Sequence, residues 1–121
     1  MEFVRGDSFP FKTLVTYLNG NPIKREDIST LFVTCRQYAN INYPILFQKT
    51  IDDVTIDEEG YIHVIFNPED TGNLDYGQYY FDIEITLNSG YRKSFLNTFQ
   101  LTYETTIHTE EVSEEGNKDG N

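Results

Sequence analysis

For nucleophilic or acid–base work the 121-residue sequence offers one cysteine, Cys35, two histidines, His63 and His108, and twenty acids. A thiol nucleophile needs a base to take its proton. Cys35 stands within LFVTCRQY, and both histidines are remote from it in sequence and outside any recognisable motif. The expected role of Cys35 is that of a small buried apolar side chain, and a single cysteine forms no intrachain disulfide. Carboxylate pairs come next. Asp82 and Glu84 share one strand face, with Asp52, Asp53 and Asp57 nearby in sequence. Glycoside hydrolysis needs two acids about a cleft that raises one pKa and excludes water. An open strand face provides no such cleft, so solubility is their expected role. TIDEEGYI carries Gly60 where an EF-hand loop has its sharp turn, but the first and twelfth places of that loop need acids. Thr55 and Phe66 occupy them. A hairpin turn accounts for Gly60 better. No catalytic residue, metal site or cofactor is expected.

Arg5-Gly6-Asp7 is the tripeptide that integrins read, a recognition that needs Arg and Asp at the tip of an exposed loop. Here it precedes a strand, and Asp7 or Ser8 can close a local turn, so a structural role is expected. The formal charge is −11. From Glu104 onward six acids stand against Lys118, and the rest of the chain holds fourteen acids against eight bases, a net of −6. The basic pairs Lys24-Arg25 and Arg92-Lys93 are the longest cationic runs. Such a surface repels a phosphate backbone, so nucleic acid is not expected as a partner. No apolar run approaches a membrane span, and MEFVRGDSF lacks the basic and apolar regions of a secretory signal. Synthesis in the cytoplasm and no membrane partner are expected.

These residues must be held by strands. In QYYFDIEITLN, Tyr79, Phe81, Ile83, Ile85 and Leu87 fall on one face, and Tyr80, Asp82, Glu84, Thr86 and Asn88 on the other. That is an antiparallel strand with one dry side. Asn88-Ser89-Gly90 supplies a turn, and YRKSFLNTFQLTYE returns with Phe95, Phe99, Leu101 and Tyr103 on one face and Asn97 as an expected bulge or bend. DVTID and YIHVIF flank Glu58-Glu59-Gly60 as a hairpin, with Val54, Ile56, Ile62, Val64 and Phe66 inward and His63 outward. LFVTCRQYA places Leu31, Val33 and Cys35 inward, and YPILFQKT reads as a strand near an edge because of Pro44. In FPFKTLVTYL the inward face is open between Phe11, Val15 and Tyr17 and the pair Leu14 and Leu18. IKREDIST is a helical turn. About seven short strands with turns between them indicate an all-β antiparallel sandwich. One domain over residues 1–105 is expected, followed by a flexible acidic tail over 106–121.

The polar stretch before the alternating strand, FNPEDTGNLDYG, is a corner. Pro68 fixes one φ, Asp70 and Thr71 can bond nearby amides, Gly72 and Gly77 tolerate positive φ, and Leu74 plugs the end of the sandwich. With Tyr79 two residues after Gly77, PEDTGNLDYGQYYF resembles the tyrosine corner of immunoglobulin-like sandwiches, in which a Tyr at the start of a late strand bonds back to the preceding loop. Phe81 stands where an antibody domain has Cys, and the chain has no Trp. RGDSFPF, LNGNPI, LFVTCRQ, ILFQK, GYIHVIFNPEDT, LDYGQYYFDIEITLNSG and FQLTYETT in succession resemble small immunoglobulin-like domains encoded among bacteriophage structural genes. The resemblance rests on Arg5-Gly6-Asp7, on Pro68 to Thr71 and on Gly77 to Ile83. It implies an immunoglobulin-like fold with a tyrosine corner, no catalytic residues, and a virion component of tail, baseplate or head surface that binds other virion subunits.

On these faces Phe32, Tyr38, Tyr61 and Tyr80 point outward. Cross-strand pairing explains such side chains, and so does a protein interface, where tyrosines are common anchors. A non-catalytic virion protein located in the particle is therefore expected, as a homo-oligomer if its assembly closes symmetrically. The alternative is a host-adhesion or carbohydrate-binding module, which would want exposed aromatics beside Asp, Asn or Gln on one face.

Overall fold

The eleven-residue strand Gly77–Leu87 realises its alternation in full: Tyr79, Phe81, Ile83, Ile85 and Leu87 are all buried. Each such side chain contributes about 1.5–3 kcal/mol of transfer free energy. The structure, a computed structural model, describes residues 1–103. The expected end of the domain at residue 105, the tail and His108 lie outside the described residues. In chain order the strands are β1 (Glu2–Val4), β2 (Phe9–Leu14), β3 (Ile28–Arg36), β4 (Phe47–Thr50), β5 (Thr55–Ile56), β6 (Tyr61–Phe66), β7 (Gly77–Leu87) and β8 (Arg92–Thr102). A single helical turn, α1 (Pro68–Thr71), joins β6 to β7, and short 3-10 turns cover Arg25–Asp27 and Ile51–Asp53.

Two sheets result, one ordered β1-β8-β7-β3-β4 and the other β2-β6-β5. The fold is mostly β without a disulfide, but it departs from a purely antiparallel sandwich of about seven strands. β1 runs parallel to β8, with Phe3 opposite Leu101, and makes an eighth strand. The five-stranded sheet is therefore mixed, and it curls into a half-barrel. EFV is too short to carry a visible period, and its partner lies at the far end of the described chain, so nothing local announces β1.

The core is aromatic between the sheets. Phe3 stacks on Phe9 at 3.9 Å and on Phe99 at 4.2 Å, while Phe66 meets Phe81 edge-on at 5.1 Å. Leu31, Val33 and Cys35 are buried on β3, and Ile62, Val64 and Phe66 on β6, as the alternation predicts. The open choice in β2 resolves toward Phe11 and Val15. Leu14 and Leu18 face water, and so does Tyr17, because the strand ends at Leu14 and the chain leaves the sheet. Among the described residues β4 is an edge, as Pro44 suggested.

Two expectations are corrected, and one burial was not foreseen. Asn97 makes no bulge: β7 and β8 stay in register from Gly77–Leu101 to Thr86–Arg92, and Asn97 sits half-buried opposite Phe81. Tyr103 is exposed rather than in the core, its ring lying edge-on to Tyr76 at 5.0 Å. Thr34, on the outer face of β3, is buried, because that face is partly roofed and Gln48 donates to its hydroxyl at 2.9 Å.

Candidate functional site

Tyr79 does what the corner asks of it. Its hydroxyl donates to the Asp75 carbonyl at 2.6 Å, and burial pushes the phenol pKa above its ordinary value, the nearby Asp75 charge adding to the effect. Pro68 opens α1, where a missing N–H costs nothing, and the Asp70 carboxylate accepts the Asn67 N–H at 2.7 Å. Leu74 packs against the core, and Gly77 starts β7 at φ 143. Two corner residues act otherwise than predicted. Thr71 caps nothing: its side chain is buried and, among the described residues, its hydroxyl has no partner. Gly72 is helical at φ −59, and what it needs is space, since a Cβ there would lie 3.0 Å from the Pro68 carbonyl oxygen.

Two further residues secure the corner. Arg5 donates to the Leu74 carbonyl at 3.2 Å, and its guanidinium lies 4.2 Å from the centre of the Tyr76 ring. Gly6 is at φ 90 and the Asp7 N–H donates to Val4 at 3.0 Å, so the tripeptide is a turn whose Arg is engaged with the corner. Lys49, from β4, sits 2.7 Å from the Asp70 carboxylate with both side chains largely buried. Sequence reading missed both partners, although Lys49 carries a signal, as a cation at an inward position of a strand.

Removal of the Tyr79 hydroxyl measures the corner bond. We expect Tyr79→Phe to cost about 1 kcal/mol, the net worth of one hydrogen bond, read as a lower urea midpoint at unchanged slope. An unchanged midpoint would mean that the bond holds nothing.

Cys35 has no chemistry to offer. Burial pushes its thiol pKa to about 12, with the Asp70 charge as a smaller contribution. We expect no alkylation by iodoacetamide at pH 8 in the native state and full alkylation in denaturant, scored by mass. Native-state reaction within minutes would contradict the burial.

His63 does point outward and pairs with Asp57 at 2.8 Å. Asp57 also accepts the N–H groups of Glu59 and Tyr61, so its carboxylate closes the hairpin. The His63 hydrogen bond is the main cause that lowers the Asp57 pKa. Among the described residues no group of three or more His, Cys, Asp or Glu could hold a metal ion, and no helix is long and apolar enough to cross a membrane.

The four outward aromatics do not form one surface. Tyr38 and Tyr80 line one cleft; Tyr61 and Phe32 stand apart. Tyr61 belongs to the other sheet, under the Lys12 ammonium at 4.7 Å from its ring centre. Phe32 shares the face of Tyr80, but it lies at the Glu84 and Thr50 row. Around Tyr80 the outer face of β3, β7 and β8 forms a shallow cleft of about 130 Å³, with Arg36 opposite Tyr80, Thr34 opposite Asp82, and the loop after β3 as one wall. Arg36 holds that wall by donating from Nε to the Tyr43 carbonyl at 3.0 Å, and the Tyr38 and Tyr43 rings meet at 4.8 Å. Asp82 is not on an open face. Desolvation in the cleft raises its pKa, with Arg36 opposing and Glu84 adding to the rise. The rim is apolar, with Tyr38 at 49% exposure, Ile41 at 84% and Leu96 at 59%.

No protein-family model and no curated protein matches the chain.

Proposed function

We propose that the chain is a non-catalytic, immunoglobulin-like sandwich module of a phage virion, docking onto other virion subunits through the cleft face of its five-stranded sheet. The exposed apolar rim around Arg36 and Asp82 carries the docking reading. Tyr and Arg anchors in a small desolvated depression, ringed by Ile41 and Leu96, are the composition of an interface centre. The strand order supports the immunoglobulin-like reading: a first strand parallel to the last, and β2-β6-β5 facing β8-β7-β3-β4, with Tyr79 bonded back across the corner. The virion assignment rests on the resemblance of the corner and strand motifs to phage structural domains.

Among the described residues, the free edges favour docking by a face over docking by most edges. β1, β4 and β5 are two to four residues long, and β2 carries Pro10 and Lys12, devices that blunt an edge. The test is immunodetection of the chain in purified particles. The wild-type chain should be present, and Ile41→Asp, which places a charge on the exposed rim, should be lost from particles while folding normally. A particle fraction without the wild-type chain sinks the virion reading.

A second reading is a carbohydrate site in the same cleft, because Tyr38 and Tyr80 stand beside Asn40, Asp82 and Arg36 there. Glycan-array binding that vanishes in Tyr80→Ala would favour it, and an empty array removes it.

A further inference from the structure

At the Leu87 end of β7 a groove of about 470 Å³ opens, lined by Val15, Ile23, Ile85 and Leu87. β2 stops at Leu14, and beyond it the loop from Val15 to Ile23 takes over as one wall. Backbone bonds hold that loop: Val15 donates to the Gly60 carbonyl at 3.1 Å, Tyr17 to Asn21 at 2.8 Å and Ile23 to Val15 at 3.2 Å. The opposite wall is the turn between β7 and β8. Asn88 ties it to the 3-10 turn, its N–H donating to the Asp27 carbonyl at 2.9 Å and its side-chain amide to the Glu26 carbonyl at 2.7 Å. Both walls are thus fixed before anything binds, which lowers the cost of binding. The volume falls in the range of small-ligand pockets, about 300–1,000 Å³. Leu18 and Tyr91 stand exposed on the rim and do not close the opening.

β8 supplies the polar group. Its core-side positions run Leu101, Phe99, Asn97, Phe95 and Lys93, and Lys93 lies opposite the buried Ile85. Strand alternation puts Glu84 and Arg92 on the other face. Lys93 is the only charged residue lining the groove, in a chain with twenty acids and nine bases. Among the described residues no carboxylate lies within ion-pair distance of it, and its ammonium sits 5.3 Å from the centre of the Phe95 ring. Asp27 is near Tyr17 but outside the lining, and its carboxylate accepts the Lys24 N–H at 3.2 Å. An inward charge can also discourage pairing at a strand edge, but that role needs no preformed apolar groove beside the amine.

We infer that this groove binds a small anionic amphiphile, an apolar chain ending in a carboxylate or a comparable anion. The chain lies along Ile23, Ile85 and Leu87, where buried apolar area supplies the affinity, and the anion meets Lys93, which sets the orientation. The occupant is a free molecule rather than a membrane surface, because a net charge of −11 is repelled by an anionic bilayer. The groove is on the core side of β7 and the Tyr80 cleft on its outer side, so failure here leaves the cleft reading standing.

The test titrates the full chain with sodium decanoate below its micelle concentration, followed by calorimetry and methyl NMR. The expected result is saturable binding at one site, with the methyl signals of Val15, Ile23, Ile85 and Leu87 shifted and that of Ile41 unmoved. Decanol, which lacks the charge, should bind the same site about threefold more weakly, the modest worth of an exposed ion pair. Lys93→Gln should weaken decanoate about threefold and leave decanol unchanged, a difference that a merely structural lysine would not produce. Ser89→Trp, at an exposed turn position on the groove, should abolish binding of both at an unchanged urea midpoint. Absence of saturable binding, shifts confined to other methyls, or equal decanoate binding by wild type and Lys93→Gln overturns the inference. Retention of the chain on phosphatidylglycerol vesicles without decanoate binding also overturns it, and makes the rim a membrane contact.

Discussion

Phe66→Ala is expected to destabilise the fold by about 3–5 kcal/mol, the range for an aromatic ring removed from a closed core. Phe66 projects from β6, and its ring lies within 4.9 Å of Phe3, 5.1 Å of Phe81, 5.8 Å of Phe47 and 6.3 Å of Phe99, centre to centre. Those rings belong to β1, β7, β4 and β8, so one side chain from the three-stranded sheet touches four strands of the other. Its loss leaves a void between sheets that hydrogen bonds within each sheet cannot close. A domain of this size has about 5–15 kcal/mol to lose, so the variant should sit near the edge of folding in urea titration. Phe66→Leu keeps most of the volume and should cost less. A cost below about 1 kcal/mol for the alanine variant would show that the sheets are not joined through this ring.

The second large effect is electrostatic. Lys49 and Asp70 are 9% and 15% exposed in their side chains and 2.7 Å apart. Lys49→Met leaves the Asp70 carboxylate with the Asn67 amide as its remaining partner in a poorly solvated place, at a cost of about 3–5 kcal/mol. Adding Asp70→Asn removes the stranded charge, so the double variant should be more stable than Lys49→Met alone. A double-mutant cycle by urea denaturation reads the coupling, and buried charges should keep it largely unchanged in higher salt. Strict additivity of the two substitutions would show that the pair is only a proximity.

The lysine also explains why the corner stays attached to the sheet. Asp70 accepts from α1's own entry residue and from a strand twenty-one residues earlier, so one carboxylate ties the local turn to β4. Arg5 does the same from the other side, joining the β1–β2 turn to Leu74. Tyr79 is thus one of three ties on the corner, which is why its hydroxyl is expected to matter less than Lys49.

What the sequence determined by itself is local in cause. The inward faces of β3, β6 and β7 follow from side chains two residues apart, because the pleat sends alternate residues to opposite sides whatever the rest of the chain does. A bond from Tyr79 back to its own loop was expected from the resemblance to a tyrosine corner, and the structure supplies the acceptor, the Asp75 carbonyl four residues earlier. Only the tertiary structure decided β1's parallel place on β8, the Lys49–Asp70 pair, Arg5 on the corner, and the separation of Tyr61 from Tyr38 and Tyr80. Each depends on which distant segments become neighbours. That is set by how the sheets close over the aromatic core, and no pattern within a single strand encodes it.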